Sequence, residues 1–351
     1  MAHAISIDPE RHVEGRHHRG HRGSTGTERP TGSSSSSATC NPVRGVAATL
    51  DPGQVCGNPG FLMQSCFGHS SSAPPPPLSP PPPPKVYHVW PGKNVFFLDG
   101  RVIFGPDPKG LILTAMAVIF SEWVFLAYIV DRASTHPSLI SAFSLILAAT
   151  VIASLLLTAT RDPGIIARNQ VSPLEEARTA ASTPSRFVIV NGVEMRMRFC
   201  RVCKIFRPPR SSHCAVCDNC VDKFDHHSSW ISQCIGLRNY RIYLVLVCSA
   251  FAFYAFIFTF SVRRISAGSA LPETFVFATL SFMTTCFLAG LLGFNAFLVA
   301  KNKTNNEWHK GRNHTSPNPY DEGTMGNIRE CLFEKLPPPR VDFRAVAEPN
   351  L

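Results

Sequence analysis

Six of the chain's 12 cysteines lie between Cys200 and Cys234. Cys200 and Cys203 form one Cys-x-x-Cys pair, and Cys214 and Cys217 form another. Cys220 and Cys234 follow singly. His213 precedes Cys214, and Asp225-His226-His227-Ser228 stands between the last two cysteines. A Cys-x-x-Cys turn presents two thiolates to one ion, at about 2.3 Å each for zinc. In a reducing compartment such spacing serves a metal rather than a disulfide. Two tetrahedral zinc sites need eight ligands, which six Cys and two His supply. His213 is one of the histidines and either His226 or His227 is the other, leaving one imidazole free for chemistry.

The elements that must position these residues are apolar. Four blocks, at Leu111 to Val130, Leu139 to Thr158, Ile242 to Val262 and Thr274 to Ala300, each reach the roughly 20 residues that cross about 30 Å of hydrocarbon. The cysteine-rich stretch lies in the long connection 160–241, between the second and third blocks. The sequence therefore predicts an all-α integral membrane protein: four transmembrane helices and a zinc-binding cysteine-rich loop between helices 2 and 3. Lys85 to Lys109 carries four Lys/Arg, Arg161 to Arg241 carries 13 and Lys301 onward carries eight, against three in the two short connections. The positive-inside rule then places the loop and both termini in the cytosol. Arg263 and Arg264 argue mildly the other way. Glu122 falls inside the first span, where it could face the bundle interior, pair with a polar group or stay protonated.

Outside the spans the composition changes. Residues 1–85 are rich in His, Ser and Pro and read as a disordered tail, ending in a polyproline spacer that could meet an SH3- or WW-type domain. Residues 86–110, with Tyr87, Trp90, Phe96 and Phe97, read as a pre-membrane interfacial segment, and 301–351 as a C-terminal tail. No apolar run follows Met1, so neither a cleaved signal peptide nor, without Gly at position 2, a myristoyl anchor is expected. The net charge of +10 fits an anionic partner, nucleic acid or the cytoplasmic leaflet.

The run from Cys200 to Asn239 resembles the cysteine-rich domain of the DHHC-type protein S-acyltransferases, or palmitoyltransferases. Asp162-Pro163-Gly164, Thr304-Asn305-Asn306-Glu307 and Asn318-Pro319-Tyr320 to Asn327 are similar to that family's flanking motifs. Phe104-Gly105-Pro106-Asp107 and Arg161 to Asn169 look most like plant members. The resemblance covers about 86–330. It implies a ligand pairing that spacing leaves open: Cys200, Cys203, His213 and Cys220 on one structural zinc, and Cys214, Cys217, His227 and Cys234 on the other. It implies that His226 is the free imidazole, oriented by Asp225 beside the nucleophile position. It implies acyl-CoA, such as palmitoyl-CoA, as donor and Cys thiols of membrane-associated proteins as acceptors, on endomembranes (ER, Golgi or vesicles) or the plasma membrane. Arg207, Arg210, Arg238 and Arg241 become candidates for the CoA phosphates. Phe251, Phe253, Tyr254, Phe256 and Phe258 become candidates for the acyl chain.

One position departs from the pattern. The family's nucleophile is a Cys after the second His; here it is Ser228, with Ser229 in place of the usual Pro. A hydroxyl needs a base where a thiol is already partly ionised. An acyl-serine is an oxyester, so passing its acyl group to a thiol is uphill. The expected function is thus acyl transfer, against a membrane scaffold that binds acyl-CoA or substrate without transfer. A membrane-tethered zinc finger for nucleic acid lacks a finger-type helix pattern, so no nucleic acid is expected. A transporter lacks an inverted repeat.

Overall fold

The computed structural model describes residues 82–130, 136–169, 186–268, 270–311 and 318–347. The His/Ser-rich opening and most of the proline run, with its SH3 or WW reading, lie outside them, as do Arg132 and Asn313. After a short turn at Val86–His88 come β1 (Val95–Phe97), β2 (Val102–Phe104), α1 (Lys109–Val124) with a π-helical turn at Phe125–Ile129, and α2 (Pro137–Thr160). Seven strands follow: β3 (Arg186–Val190), β4 (Val193–Cys200), β5 (Ile205–Arg207), β6 (Ser212–Cys214), β7 (Asn219–Val221), β8 (His226–Ser228) and β9 (Gln233–Ile235). The chain continues through α3 (Tyr240–Ser266), α4 (Pro272–Ala300), α5 (Asn305–His309) and α6 (Gly323–Phe333).

Four helices are long and apolar enough to cross a membrane: Lys109–Ile129, Pro137–Thr160, Tyr240–Ser266 and Pro272–Ala300. At 1.5 Å per residue the shortest still spans about 30 Å. Pro137 and Pro272 open α2 and α4 in the first turn, where a missing N–H costs no hydrogen bond. The bundle buries Phe125, Val151, Leu155, Phe253 and Ile257. Its outer surface carries Ile112, Leu113, Phe120, Leu145, Phe275 and Met283, side chains that suit lipid rather than water. The chain is therefore a four-span integral membrane protein with its cysteine-rich region between the second and third spans. Glu122 does face the interior, where Ser144 donates to its Oε1 at 2.8 Å.

The cysteine-rich region is built of short antiparallel ladders: β3-β4-β5, β6-β7 and β8-β9. Several contacts seat it on the spans. Leu111 N donates to Ser232 Oγ at 3.1 Å, and Thr114 Oγ1 to Trp230 O at 2.9 Å. A Cβ on Gly105 would fall 1.8 Å from Ser232 O, and one on Gly110 would fall 1.6 Å from Ser229 O. Glycine is required at both places because backbone meets backbone. Gln233, fully buried, donates to Ile103 O at 2.8 Å and accepts from Cys234 N at 3.1 Å. Asn239 donates to Cys234 O at 2.9 Å and Thr158 O at 3.2 Å, joining the ladder to the end of α2. Asp162 Oδ1 accepts from Gly164 N and Ile165 N, both at 2.9 Å, and Ile165 bridges Val221.

The stretch after α4, read from sequence as a tail, holds two helices and then a strap. Val86 N donates to Ala345 O at 2.9 Å and Ala347 N to Pro84 O at 2.8 Å. Val341 and Phe343 pack with Val86, Trp90, Ile103 and Ile165, and the Trp90 and Phe343 rings meet edge-on at 5.1 Å. These two apolar residues find a ready pocket, which is why the strap folds back.

Candidate functional site

The ladder register sorts the ligands. His213 stands across from Cys220, and His227 across from Cys234. Side chains alternate along a strand, so His213 and its neighbour Cys214 point to opposite faces. These two adjacent ligands therefore belong to different clusters. The first holds Cys200, Cys203, His213 and Cys220, and the second Cys214, Cys217, His227 and Cys234, with the donor atoms of each within 4.8 Å of one another. This is the pairing that the family resemblance implied. Each Cys-x-x-Cys turn is closed by an N–H to thiolate contact of 3.5 Å, from Cys203 N to Cys200 Sγ and from Cys217 N to Cys214 Sγ. Lys204 and Asp218, the next residues, take left-handed φ of 53° and 54° to release the chain.

The donor sets fit zinc. Tetrahedral bonds of about 2.3 Å to sulfur and about 2.0–2.1 Å to nitrogen place ligand pairs about 3.6–3.8 Å apart. His213 Nδ1 lies 3.4 Å from Cys203 Sγ and 3.9 Å from Cys220 Sγ. His227 Nδ1 lies 3.7, 3.4 and 3.6 Å from the sulfurs of Cys214, Cys217 and Cys234. The far nitrogen of His213, Nε2, faces Asp218 Oδ1 at 3.5 Å, and Asp218 in turn meets Arg168 at 3.0 Å. A carboxylate behind a ligating imidazole sets its tautomer and orientation. Four protein donors per cluster leave no open position, so both clusters are structural in type.

Beside the second cluster, β8 turns His226 and Ser228 to the face opposite His227. His226 Nδ1 lies 2.7 Å from Asp225 Oδ2. Asp225 is buried, and its Oδ1 accepts from Asn305 N at 2.9 Å while its carbonyl accepts from Asn306 N at 3.1 Å. Ser228 is buried, and Ile231 N donates to its Oγ at 3.3 Å. Tyr243 of α3 meets the His226 ring edge-on at 5.5 Å.

Thr304 and Glu307 form a capping box on α5. Glu307 N donates to Thr304 Oγ1 at 3.2 Å, and Thr304 N to Glu307 Oε2 at 2.8 Å. The box aims the Asn305 and Asn306 N–H groups at Asp225, so both positions act through their backbone. Arg210 clasps Glu307 with Nε to Oε1 at 3.0 Å and Nη2 to Oε2 at 2.9 Å. It also donates to Asn302 Oδ1 at 2.8 Å, and the Tyr320 ring covers its guanidinium at 4.5 Å. Burial by itself would push the Glu307 carboxyl up; the Arg210 charge, the hydrogen bonds from Arg210 and Thr304 N, and the Lys223 charge together outweigh it and hold Glu307 below the usual carboxylate range. Asn327 donates to Ala300 O at 2.8 Å and Asp321 Oδ1 at 2.7 Å, and fixes the exit of α4.

Sequence reasoning singled out Thr304, Glu307 and Asn327 but not Asn302, Gln233 or Asn239. The last three are polar side chains that bond to backbone far off in sequence, which no local pattern announces. The four arginines proposed from sequence differ in their partners. Arg210 is buried on Glu307 and Asn302. Arg238 faces Asp162 at 3.4 Å, and Arg241 caps the carbonyls of Cys331 and Glu330 at 2.6 and 3.1 Å. These guanidiniums meet internal acceptors, while the buried Nε atoms of Arg207 and Arg238 have no hydrogen-bond partner among the described residues. The aromatic set divides as well: Phe253 is bundle core, Phe256 meets Phe125 edge-on at 5.7 Å, and Phe258 meets Phe282 at a tilt at 5.2 Å.

The family model for the DHHC palmitoyltransferases matches residues 193–312, which holds both clusters and the capping box. The chain is 34% identical to "Probable protein S-acyltransferase 7" of Arabidopsis thaliana over 293 residues, 75% of this chain and 66% of that protein. It is 36% identical to "Probable protein S-acyltransferase 1" of the same plant over 291 residues, 74% of this chain and 85% of that protein. "Palmitoyltransferase ZDHHC14" of Homo sapiens is 31% identical over 294 residues, 75% of this chain and 60% of that protein. The chain belongs to the DHHC palmitoyltransferase family.

Metal analysis of the purified protein is expected to return two zinc ions per chain. Cys203→Ala is expected to unfold the whole cysteine-rich region, since structural zinc binding is folding free energy of about 10–16 kcal/mol in small modules. A content of one or none in the natural protein would refute the two-cluster reading. Glu307→Gln leaves the Arg210 charge buried and unpaired, and is expected to cost about 3–5 kcal/mol in denaturant unfolding. The Glu307 value is depressed in the fold, so its contribution is complete above the unfolded value near about 4.3 and fades as pH falls through the folded one. The stability gap between natural protein and variant should therefore narrow in acid; a constant gap would show that the ion pair is not its source.

Proposed function

We propose that the chain is an acyltransferase that takes a long-chain acyl group from acyl-CoA at Ser228 and delivers it to membrane-associated proteins. Cysteine thiols are the acceptors by family, and palmitoyl-CoA is the donor to test first. The observation that carries the reading is the intact Asp225–His226 pair at 2.7 Å, held between the second cluster and α5. Asp225 orients the imidazole, and His226 takes the proton from the attacking Oγ and returns it to the leaving thiolate. Zinc in both clusters supplies folding free energy to the hairpins. The acyl chain extends among the four spans.

The Lys/Arg bias supports a cytosolic position for the cysteine-rich region and both termini, on endomembranes or the plasma membrane. Asn302-Lys303-Thr304 and Asn313-His314-Thr315 are glycosylation sequons. Asn302 is buried, and its Nδ2 donates to Tyr320 O at 2.6 Å, so Asn313 is the reporter. No glycosidase-sensitive mass shift is expected in cells; a shift abolished by Asn313→Gln would invert the topology.

Ser228 makes delivery to a thiol the difficult step. With labelled palmitoyl-CoA, the natural protein is expected to show little thioester label by neutral hydroxylamine release. Ser228→Cys is expected to gain hydroxylamine-sensitive self-acylation, because base, orienter and clusters are in place. Ser229 limits the gain, since the usual Pro stiffens the turn after the nucleophile. Equal sensitive label on both forms would move the reaction to another cysteine. Absence of label on both forms, each with two zinc ions, would favour the scaffold.

A further inference from the structure

We propose that Ser228 changes the acceptor of this site from a thiol to an alcohol, so that the chain O-acylates seryl hydroxyls of membrane-associated proteins. The proposal rests on the acyltransferase reading above and names its substrate class.

Everything around the reacting atom is built for transfer. Asp225 is anchored by two backbone N–H groups from α5, and it orients His226. Strand alternation sets the Ser228 side chain on the His226 face, two residues or about 6.6 Å of backbone along the strand. Ile231 N–H occupies an acceptor position on Ser228 Oγ, at 3.3 Å, which leaves the hydroxyl proton free to be donated. Ser228 is buried, away from bulk water. Among the described residues the thiols outside the two clusters are Cys248, Cys286 and Cys331. The first two lie on membrane-spanning α3 and α4, and Cys331 lies on α6.

The chemistry of the two half-reactions selects the acceptor. In the first, Ser228 Oγ bonds to the acyl carbon of acyl-CoA and the carbon–sulfur bond breaks. The Oγ proton passes through His226 to the CoA thiolate. A thioester becomes an oxyester, which is downhill. In the second, an acceptor hydroxyl bonds to the acyl carbon and the bond to Oγ breaks. The acceptor proton passes through His226 back to Oγ. An oxyester becomes an oxyester, and the exchange is nearly even. A thiol acceptor would have to recover the energy released in the first step. A Cys nucleophile matched to a Cys acceptor and a Ser nucleophile matched to a Ser acceptor obey the same rule. The sum is acyl-CoA plus alcohol giving ester plus CoA thiol, with no other reactant.

The test uses the full-length protein in lipid vesicles, radiolabelled palmitoyl-CoA, and two membrane-anchored peptides identical except for a single Ser or Cys. The natural protein is expected to label the Ser peptide in hydroxylamine-resistant form and to leave the Cys peptide nearly unlabelled. Ser228→Cys is expected to reverse that preference. Ser228→Ala is expected to lose both activities while retaining two zinc ions per chain, which shows that it folds. His226→Ala is expected to lower transfer to the Ser peptide by about 10²–10⁴-fold, the share of a general base. Preference of the natural protein for the Cys peptide would overturn the proposal. So would label that stays on Ser228, appears only as free palmitate or membrane lipid ester, or is lost in Cys331→Ala. If Ser228→Cys labels the Cys peptide and the natural protein labels neither, the alcohol acceptor alone is refuted. If Ser228→Cys is also inert with both zinc ions bound, the acyltransferase reading falls with it.

Discussion

Convergence of eight thiol and imidazole donors on two points is the constraint on which the rest of this structure depends. The strands that carry most of those donors are three residues long, too short to hold together by ladder hydrogen bonds. Their clusters bury sulfur and little else: Ile166 and Ile205 around one, Val221 and Phe224 around the other. Small folds of this kind need a metal to supply what a core does not. Because the ligands of the two clusters interleave along the chain, the two cannot be assembled independently. His213 and Cys214 are adjacent in the chain and belong to separate sets. The ladder between Cys214 and Cys220 belongs to both.

That coupling reaches the membrane. β8 carries His227 to one cluster and, on its other face, His226 and Ser228 toward the spans. The hairpin that follows lies against Gly105 and Gly110, so the strand before α1 and the first turn of α1 are shaped by the Ser229–Ser232 backbone. On the other side, the Arg210–Glu307 pair ties the turn before β6 to α5. The α5 capping box, in turn, presents two N–H groups to Asp225. A buried ion pair is a costly way to join two elements, and a hydrophobic contact could serve as well for stability. It supplies direction here: a bidentate Arg–carboxylate fixes the helix that fixes Asp225, and Asp225 fixes the imidazole.

Within that frame Ser228 is the residue at odds with its surroundings. A site that had ceased to act would be free to lose the Asp225–His226 contact, the capping box or a cluster ligand, and all are present. The departure is confined to the atom that carries the acyl group and its neighbour Ser229. Replacing sulfur by oxygen there changes the energy of the intermediate more than the shape of the site. It moves the difficulty from the first half-reaction to the second.

The sequence by itself determined the class of this protein. Four apolar blocks are a property of composition over length, and the structure places helices on all four. Cys-x-x-Cys spacing is local, because one turn of chain sets the distance between its two sulfurs. That eight ligands were available could be counted. Which four belong together could not be derived by counting, because side-chain alternation on the strands and the meeting of separate hairpins decide it; only likeness to a family supplied it in advance. The arginines show the same limit. A guanidinium reads as a phosphate ligand wherever it stands, and only folding shows that Arg210, Arg238 and Arg241 have met acceptors from residues some 76 to 97 positions away. Nothing local in the sequence announces the bonds that Gln233, Asn239 and Asn302 make. They bond to backbone that is distant in the chain, and proximity of that kind exists only once the spans and the two clusters have been brought together.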